Sequence, residues 1–315
     1  MDKNATILVA GHTGLIGSAV TNRLISEGCS NLLLPTRAEL ELTDGLAVDR
    51  YFAKYRPNYV VLAAGQSGGI LLNQRFPADL MRANLAIQSS VLEAAHKYRT
   101  HRLIFFASSC MYPKECPQPM AEESLLSGQP EPTSIAYATA KLAGLQLCLA
   151  YNRQYGETRF IPVIPNSVYG PGDNFDPDSG HVLSALMRRF HEATQTGKPE
   201  IMLWGSGTPR REFLHAGDLA EACLLLLQHE GGELSLPINV GPGEDVSICD
   251  LAEAIARATG YRGQIAWDPE KPDGAPRKLL DSSRMRALGW EPRISLEQGI
   301  QELYAWYRRQ VIPSS

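Results

Sequence analysis

The sequence carries no excess of basic charge: 34 acidic side chains outnumber 30 basic ones, for a formal net charge of -4. Proteins that hold polyanions non-specifically are normally basic, so nucleic acid is not an expected partner. Missing too is any run approaching the roughly 18 uninterrupted apolar residues of a membrane span, and no membrane partner is expected. Met1-Asp2-Lys3-Asn4 leads straight into a strand-like run without a secretory leader pattern, which points to the cytoplasm. The six cysteines (Cys29, Cys110, Cys116, Cys148, Cys223, Cys249) form no C-x-x-C pair, so neither a zinc site nor a disulfide framework is indicated, and no metal is expected. Internal repeats, low-complexity tracts and long linkers are absent as well. Two lobes sharing one cleft are therefore expected, rather than separable modules.

What remains is ordinary globular composition, 44% apolar and 20% charged, on a chain long enough for a large core. Apolar runs of strand type alternate with amphipathic helical stretches from the N-terminus onward. That alternation specifies an α/β fold, a Rossmann-type doubly wound parallel sheet, with a smaller α/β substrate-binding lobe towards the C-terminus. Residues 1–168 are expected to form the dinucleotide-binding domain, joined by a later segment near 213–241. Residues 169–315 are expected to form the substrate-binding lobe, interleaved with it.

Thr6-Ile7-Leu8-Val9-Ala10 is a short apolar run, followed at once by Gly11-His12-Thr13-Gly14-Leu15-Ile16-Gly17 and then by helical spacing through Ala19, Val20, Leu24 and Ile25. Glycines between a strand and a helix permit a tight turn and close approach to a pyrophosphate, while the helix start offers free N–H groups. The second strand, residues 31–34, runs into Pro35-Thr36-Arg37 with no acid before Glu39. An Arg here suits the 2'-phosphate of NADP, whereas an acid would hold the ribose of NAD, so NADP(H) is the expected cofactor. Asp44 suits an N-cap and an adenine contact. The small residues Ala63-Ala64-Gly65 end the next buried strand and would let a cofactor approach its backbone, with Gly68-Gly69 in the loop beyond.

The chemistry concentrates between residues 104 and 141. Ile104-Phe105-Phe106-Ala107 reads as a buried strand delivering Ser108-Ser109-Cys110-Met111-Tyr112-Pro113, and Tyr137-Ala138-Thr139-Ala140-Lys141 follows. A Tyr and a Lys four apart share one helix face, so the ammonium is expected to lower the phenol's pKa and make a proton-transfer device. Taken alone, the serines could instead satisfy turn backbone groups, and the Tyr–Lys pair could be ordinary helix decoration.

Further on, Pro171, Gly172, Asp173, Asn174, Pro177 and Gly180 mark a long loop leading to His181 and a helix from Val182 to Ala193. Arg188, Arg189 and Arg211 have forks suited to phosphate oxygens. Asp218 suits the N-cap of a helix after Phe213-Leu214-His215, Ser247-x-x-Asp250 a capping signature, and the helix 296–307 packing.

The Gly-rich turn, the Ser-Ser-Cys strand end and Tyr137-x-x-x-Lys141 together resemble the extended short-chain dehydrogenase/reductases. Within them the chain is similar to the epimerase-reductase family that makes GDP-L-fucose. Arg188-Arg189-Phe190-His191-Glu192-Ala193, Trp204-Gly205-Ser206-Gly207, Arg211-Glu212-Phe213-Leu214-His215, Lys271-Pro272-Asp273-Gly274 and Pro276-Arg277-Lys278 carry the likeness along nearly the whole chain. The resemblance implies that Ser108, Tyr137 and Lys141 are a reductase triad, and that Cys110 and His181 are base and acid of an epimerisation. It places NADP(H) on Gly11, Thr13, Gly14, Leu15, Ile16, Gly17, Arg37, Asp44, Ala63, Ala64, Gly65, Pro165, Ser167 and Val168, besides Tyr137 and Lys141. It places the nucleotide-sugar against Ser109, His181, Val182, Arg189, Trp204, Arg211, Asp273 and Lys278, in a homodimer.

The implied reaction is consistent with the residue types. A ketone at carbon 4 acidifies the hydrogens on carbons 3 and 5, so inversion needs a base on one face and a proton donor on the other. A thiol and an imidazole both titrate near neutral pH. The sequence departs from the family at Thr13, where an Arg is usual, at Gln66-Ser67, and at Ser167 and Gly172. These changes leave open a related epimerase or 4-ketoreductase acting on another sugar nucleotide. A non-catalytic NADP-binding regulatory protein is the alternative from a different class.

Overall fold

The computed structural model describes residues 1–315 except 177–179, 230, 232, 233, 235, 272 and 312–315, with the side chains of 70, 71 and 311 also left out. Pro177 and Pro272 of the motifs above thus lie outside the described residues.

The first half alternates strand and helix: β1 Ile7–Ala10, α1 Leu15–Ser26, β2 Leu32–Leu33, α2 Gly45–Tyr55, β3 Tyr59–Leu62, α3 Ile70–Arg75, α4 Pro77–Lys97, β4 Arg102–Phe106, α5 Ile135–Tyr155 and β5 Phe160–Pro165. The second half is built of shorter pieces: β6 Val168–Tyr169, α6 Val182–Thr196, β7 Glu200–Trp204, β8 Arg210–Arg211, β9 Leu214–His215, α7 Ala216–Gln228, β10 Ile238–Val240, β11 Val246–Ser247, α8 Ile248–Thr259, β12 Gln264–Asp268, β13 Arg277–Lys278, α9 Ser283–Ala287 and α10 Leu296–Val311.

Period-2 side-chain alternation sorts the buried strands onto two faces. Ile7, Val9, Val61, Ile104, Phe106 and Val163 meet Val20 and Leu24 of α1 and Leu219, Cys223 and Leu227 of α7. Leu8, Val60, Leu62, Leu103, Phe105 and Ile164 meet Val48 and Phe52 of α2, Val91 and Leu92 of α4, and Leu145 and Cys148 of α5. A sheet apolar on both faces must be covered on both, which is why the runs read as continuous hydrophobic stretches. The resulting six-stranded sheet has the order β10-β5-β4-β3-β1-β2, and its pairings are parallel. Since β1 pairs with both β2 and β3, the winding reverses there and opens a crevice at the carboxyl ends of those strands.

Strand β2 spans two residues rather than the expected 31–34, because it lies at the sheet edge and Pro35 comes two residues after its end. The short helix α3 after Gly68-Gly69 has no counterpart in the sequence reading. Nor is Asp218 an N-cap: His215 caps α7 by accepting from the Gly217 N–H, while Asp218 accepts from the N–H groups of Arg293 and Ile294. The Ser247–Asp250 capping box is present, and α6, α8 and α10 pack a further core through Leu183, Phe190, Leu251, Ile255, Ile300 and Leu303. Among the described residues, no helix is long and apolar enough to cross a membrane.

One buried carboxylate ties the small pieces to the large sheet. Glu212 is fully buried and accepts from Asn166 Nδ2 at 2.9 Å, from the Leu280 N–H at 3.0 Å and from the Gly243 N–H at 2.7 Å. These donors belong to the link after β5, the segment after β13 and the loop after β10. Glu212→Ala leaves all of them without this partner. At about 1–3 kcal/mol per orphaned buried donor, it is expected to cost roughly 3 kcal/mol or more, read as a lowered urea midpoint with an unchanged slope.

Candidate active site

The sheet's crevice begins at the glycine turn. Gly11 has φ +87°, and a Cβ there would lie 2.6 Å from the Ala64 nitrogen; one on Gly17 would lie 2.0 Å from the Gly11 carbonyl oxygen. Both positions therefore require glycine, and the turn is held close to the end of β3. No side chain caps the start of α1 at Gly14, so its first-turn N–H groups face outward as an anion site would need. A cavity of about 280 Å³ opens there, lined by Gly11, Thr13, Gly14, Arg37, Ala63, Ala64 and Gly65. His12, Thr36 and Thr43 also line it, and the Nδ1 atom of His12 is buried without a hydrogen-bond partner. A glycine cradle, an uncapped helix start and an orphaned ring nitrogen fit a dinucleotide.

Arg37 stands at the mouth of the cavity with its Nε donating to Glu41 at 2.7 Å. The Thr43 N–H, and then Arg37, hold the Glu41 carboxyl down to about 2. Several residues expected at the cofactor do not line this cavity. Asp44 caps α2, accepting from the N–H groups of Leu46 and Ala47, and does not line the cavity. Leu15, Ile16 and Gly17 stand behind the lining, in the first turn of α1. Pro165 ends β5, Ser167 follows it and Val168 begins β6, all outside this cavity because the chain there turns toward β9.

At the end of β4, the Ser108 Oγ accepts from the Cys110 N–H at 3.2 Å and is hydrogen-bonded to the Tyr137 hydroxyl. Ser108, Cys110 and Tyr137 thus converge on one point. The expected effect of Lys141 on Tyr137 is corrected here: the Lys141 Nζ donates to the Phe106 carbonyl oxygen at 2.8 Å. Burial raises the Tyr137 pKa, the nearby Cys110 charge raises it further, and the Ser108 hydrogen bond opposes them. Burial draws Lys141 down to about 8. A Cβ on Gly65 would lie 3.4 Å from the Lys141 Nζ, so the dinucleotide crevice and this cluster adjoin.

The Ser109 hydroxyl, expected on the substrate, instead donates to Asn166 Oδ1 at 2.9 Å, and Asn166 passes the connection to Glu212. Sequence reading missed this pair, although Glu212 lies inside a quoted motif. It missed Asn84 as well, which brackets Gln66 by accepting from its N–H and donating to its carbonyl. Such buried polar residues inside apolar patterns are the only signal that could have found them.

Arg211 is the link outward. Burial lowers its pKa, while the charges of Cys110 and Asp273 act in the opposite sense, so it stands between the strand-end cluster and Asp273. Lys278 is its register partner across β13 and β8. Asp273 accepts from the Ser206 N–H at 2.9 Å and the Ser206 hydroxyl at 2.7 Å. Trp204 ends β7 with 68% of its surface exposed, and the Lys271 Nζ lies 5.6 Å from its ring centre. Arg189 bonds the Met202 carbonyl of the same strand, whereas Arg188 pairs with Glu192 at 2.8 Å as a helix-surface ion pair.

His181 stands at the N-terminus of α6, beside exposed Val182. Its Nδ1 lies 4.0 Å from Asp173 Oδ1.

The model of the NAD dependent epimerase/dehydratase family matches residues 7–241. The chain is 48% identical over 308 residues to the GDP-L-fucose synthase of Escherichia coli K12, covering 96% of each chain. It is 47% identical over 310 residues to GDP-L-fucose synthase 1 of Arabidopsis thaliana, covering 98% of this chain and 95% of that one. The NADP-bound crystal structure of a GDP-L-fucose synthetase from Naegleria fowleri superimposes with a TM-score of 0.88 at 29% identity, covering 100% of this chain and 97% of that one.

Lys141 has a measurable thermodynamic signature. The folded protein releases its proton near pH 8 whereas the ordinary value is 10.5, so between these the unfolded state binds more protons and native stability rises with pH. Lys141→Met removes the buried charge. Cofactor-free, it is expected to melt higher than the parent at pH 7, by up to about 3 kcal/mol at 1.36 kcal/mol per pKa unit. That advantage should vanish toward pH 10.5 in a series of thermal melts.

Proposed function

The chain belongs to the NAD dependent epimerase/dehydratase family, and from that membership we propose that it is an NADP-dependent epimerase-reductase converting GDP-4-keto-6-deoxy-D-mannose to GDP-L-fucose. The observation that carries this reading is one continuous line of groups. It runs from the glycine cavity through Lys141, Tyr137, Ser108 and Cys110 to Arg211, and on to Asp273 and Trp204. A dinucleotide at one end and a nucleotide-sugar at the other would bring their reacting carbons to the middle.

In this reading, residues 1–168 with the segment near 213–241 hold the cofactor, and 169–315 hold the substrate. NADPH supplies the hydride for carbon 4. Tyr137 gives the proton to the carbon 4 oxygen, and its raised pKa keeps it a donor at neutral pH. Ser108 is the second donor to that oxygen, and Lys141 holds the nicotinamide ribose. Before reduction, Cys110 withdraws the protons of carbons 3 and 5 and His181 returns them on the opposite face. Arg189, Arg211 and Lys278 take the diphosphate, Trp204 offers its exposed face to the base, and Val182 and Asp273 border the sugar nucleotide. From the family resemblance we infer that the enzyme works in the cytoplasm as a homodimer.

The roles separate by mutation. With the GDP-4-keto sugar and NADPH, Tyr137→Phe is expected to lose NADPH oxidation by at least about a hundredfold while deuterium uptake from heavy water at carbons 3 and 5 persists. Cys110→Ser should impair that uptake first. Equal loss of both steps in both variants would overturn the assignment.

A further inference from the structure

Outside the groups already given roles, one buried carboxylate faces a reacting side chain. Asp173 has 3% of its side chain exposed, and each of its oxygens is engaged. Its Oδ1 accepts from the Asn174 N–H at 2.7 Å and lies 4.0 Å from His181 Nδ1. Its Oδ2 accepts from the Ser184 hydroxyl, one turn into α6. The loop that carries it lies against the glycine-turn helix: a Cβ on Gly172 would meet the Ser18 hydroxyl at 3.4 Å and the Leu15 Cα at 3.9 Å. The carboxylate is thus fixed between α1 and α6, whereas the His181 side chain it faces is 51% exposed.

A ring with one nitrogen beside a fixed carboxylate has a defined tautomer and orientation, because the N–H is drawn to the carboxylate and the other nitrogen is left outward. We propose that Asp173 is a positioning residue for His181, holding Nδ1–H toward itself so that Nε2 is the atom that exchanges a proton with the sugar. This rests on the reading that His181 is the acid of the epimerisation.

The step balances. The Cys110 thiolate takes the proton from carbon 3 or 5, and the C–H electron pair passes to the carbon 4 oxygen as an enolate. The Nε2–H of the His181 imidazolium then breaks as the new C–H bond forms on the opposite face, leaving a neutral ring with its proton on Nδ1. Proton transfer through solvent from the thiol to Nε2 restores both groups. Burial raises the Asp173 pKa, and the facing His181 charge opposes it, in keeping with an ion pair that forms when the ring is protonated. The other loop carboxylate, Asp176, acts on Arg188 of α6, which pairs with Glu192.

A carboxylate that only anchored the start of α6 through Ser184 would make a competing account. The two are separated by following formation of the ketone inverted at carbons 3 and 5 with NADP⁺ bound, so that no hydride is transferred. Asp173→Asn is expected to slow this inversion roughly tenfold at neutral pH. It should also move the alkaline limb of the pH profile down by about half to one unit, because the charge favouring the protonated ring is gone. Ser184→Ala should lower the melting temperature and leave that limb in place. An unmoved limb in Asp173→Asn, with both variants differing from the parent only in stability, would overturn the proposal.

Should Asp173→Asn not fold, the wild-type protein gives the answer by ¹H–¹⁵N NMR of the His181 ring. The neutral form is expected as the Nδ1–H tautomer, and an Nε2–H tautomer would refute the inference. Inversion at the parent rate by His181→Asn would remove the underlying acid assignment instead, a different failure from either of these.

Discussion

Parallel strands all finish on one edge, and this chain's chemistry depends on that constraint. The carboxyl ends of β1, β3 and β4 emerge side by side, since β3 pairs with both β1 and β4. The glycine turn follows the first, Ala63-Ala64-Gly65 the second and Ser108 to Cys110 the third. The reversal of winding between β1 and β3 opens the crevice, and the next strand along delivers the reactive groups beside it. Gly11 and Gly17 matter because a side chain at either would push the turn away from β3 or from the start of α1.

The smaller elements need a different device. β6, β8, β9, β11 and β13 are two residues long, too short for ladder hydrogen bonds to fix their placement. Buried polar residues do so instead. Glu212 and Asn166 tie together the link after β5, the segment at and after β13 and the loop after β10, and Ser109 joins them to the turn that carries Cys110. Cys110 and the short strands of the second half are therefore registered through one hydrogen-bonded network. Such networks specify geometry because each partner removed leaves a buried group unpaired.

Burial also sets the proton inventory. It raises Tyr137 and lowers Lys141, so the phenol stays neutral while the ammonium four residues further along α5 is easily discharged. A phenol kept protonated at neutral pH suits donation to a developing alkoxide, whereas an ionised one would repel it. The lysine's tie to the Phe106 carbonyl fixes it at the end of β4, against Gly65.

Composition and hydrophobic period determined much on their own. Continuous apolar runs between amphipathic helices gave the doubly wound sheet, because a strand covered on both faces has no polar side to show. Gly11-x-x-Gly14-x-x-Gly17 marked the tight turn between β1 and α1, and the four-residue spacing of Tyr137 and Lys141 placed both on α5, since local spacing fixes which side chains share a helix face. Asp44 caps α2 as its position suggested, but local spacing did not reveal that Ser109 turns to Asn166 or that Lys141 reaches the Phe106 carbonyl. Nor did it show Asp173 facing His181 or Glu212 collecting its donors. These depend on atoms brought together from distant parts of the chain, and a polar residue's partner is decided by which donors remain unsatisfied once the backbone has folded. Periodicity reports which face is buried, and only the tertiary structure decides what a buried polar group meets there.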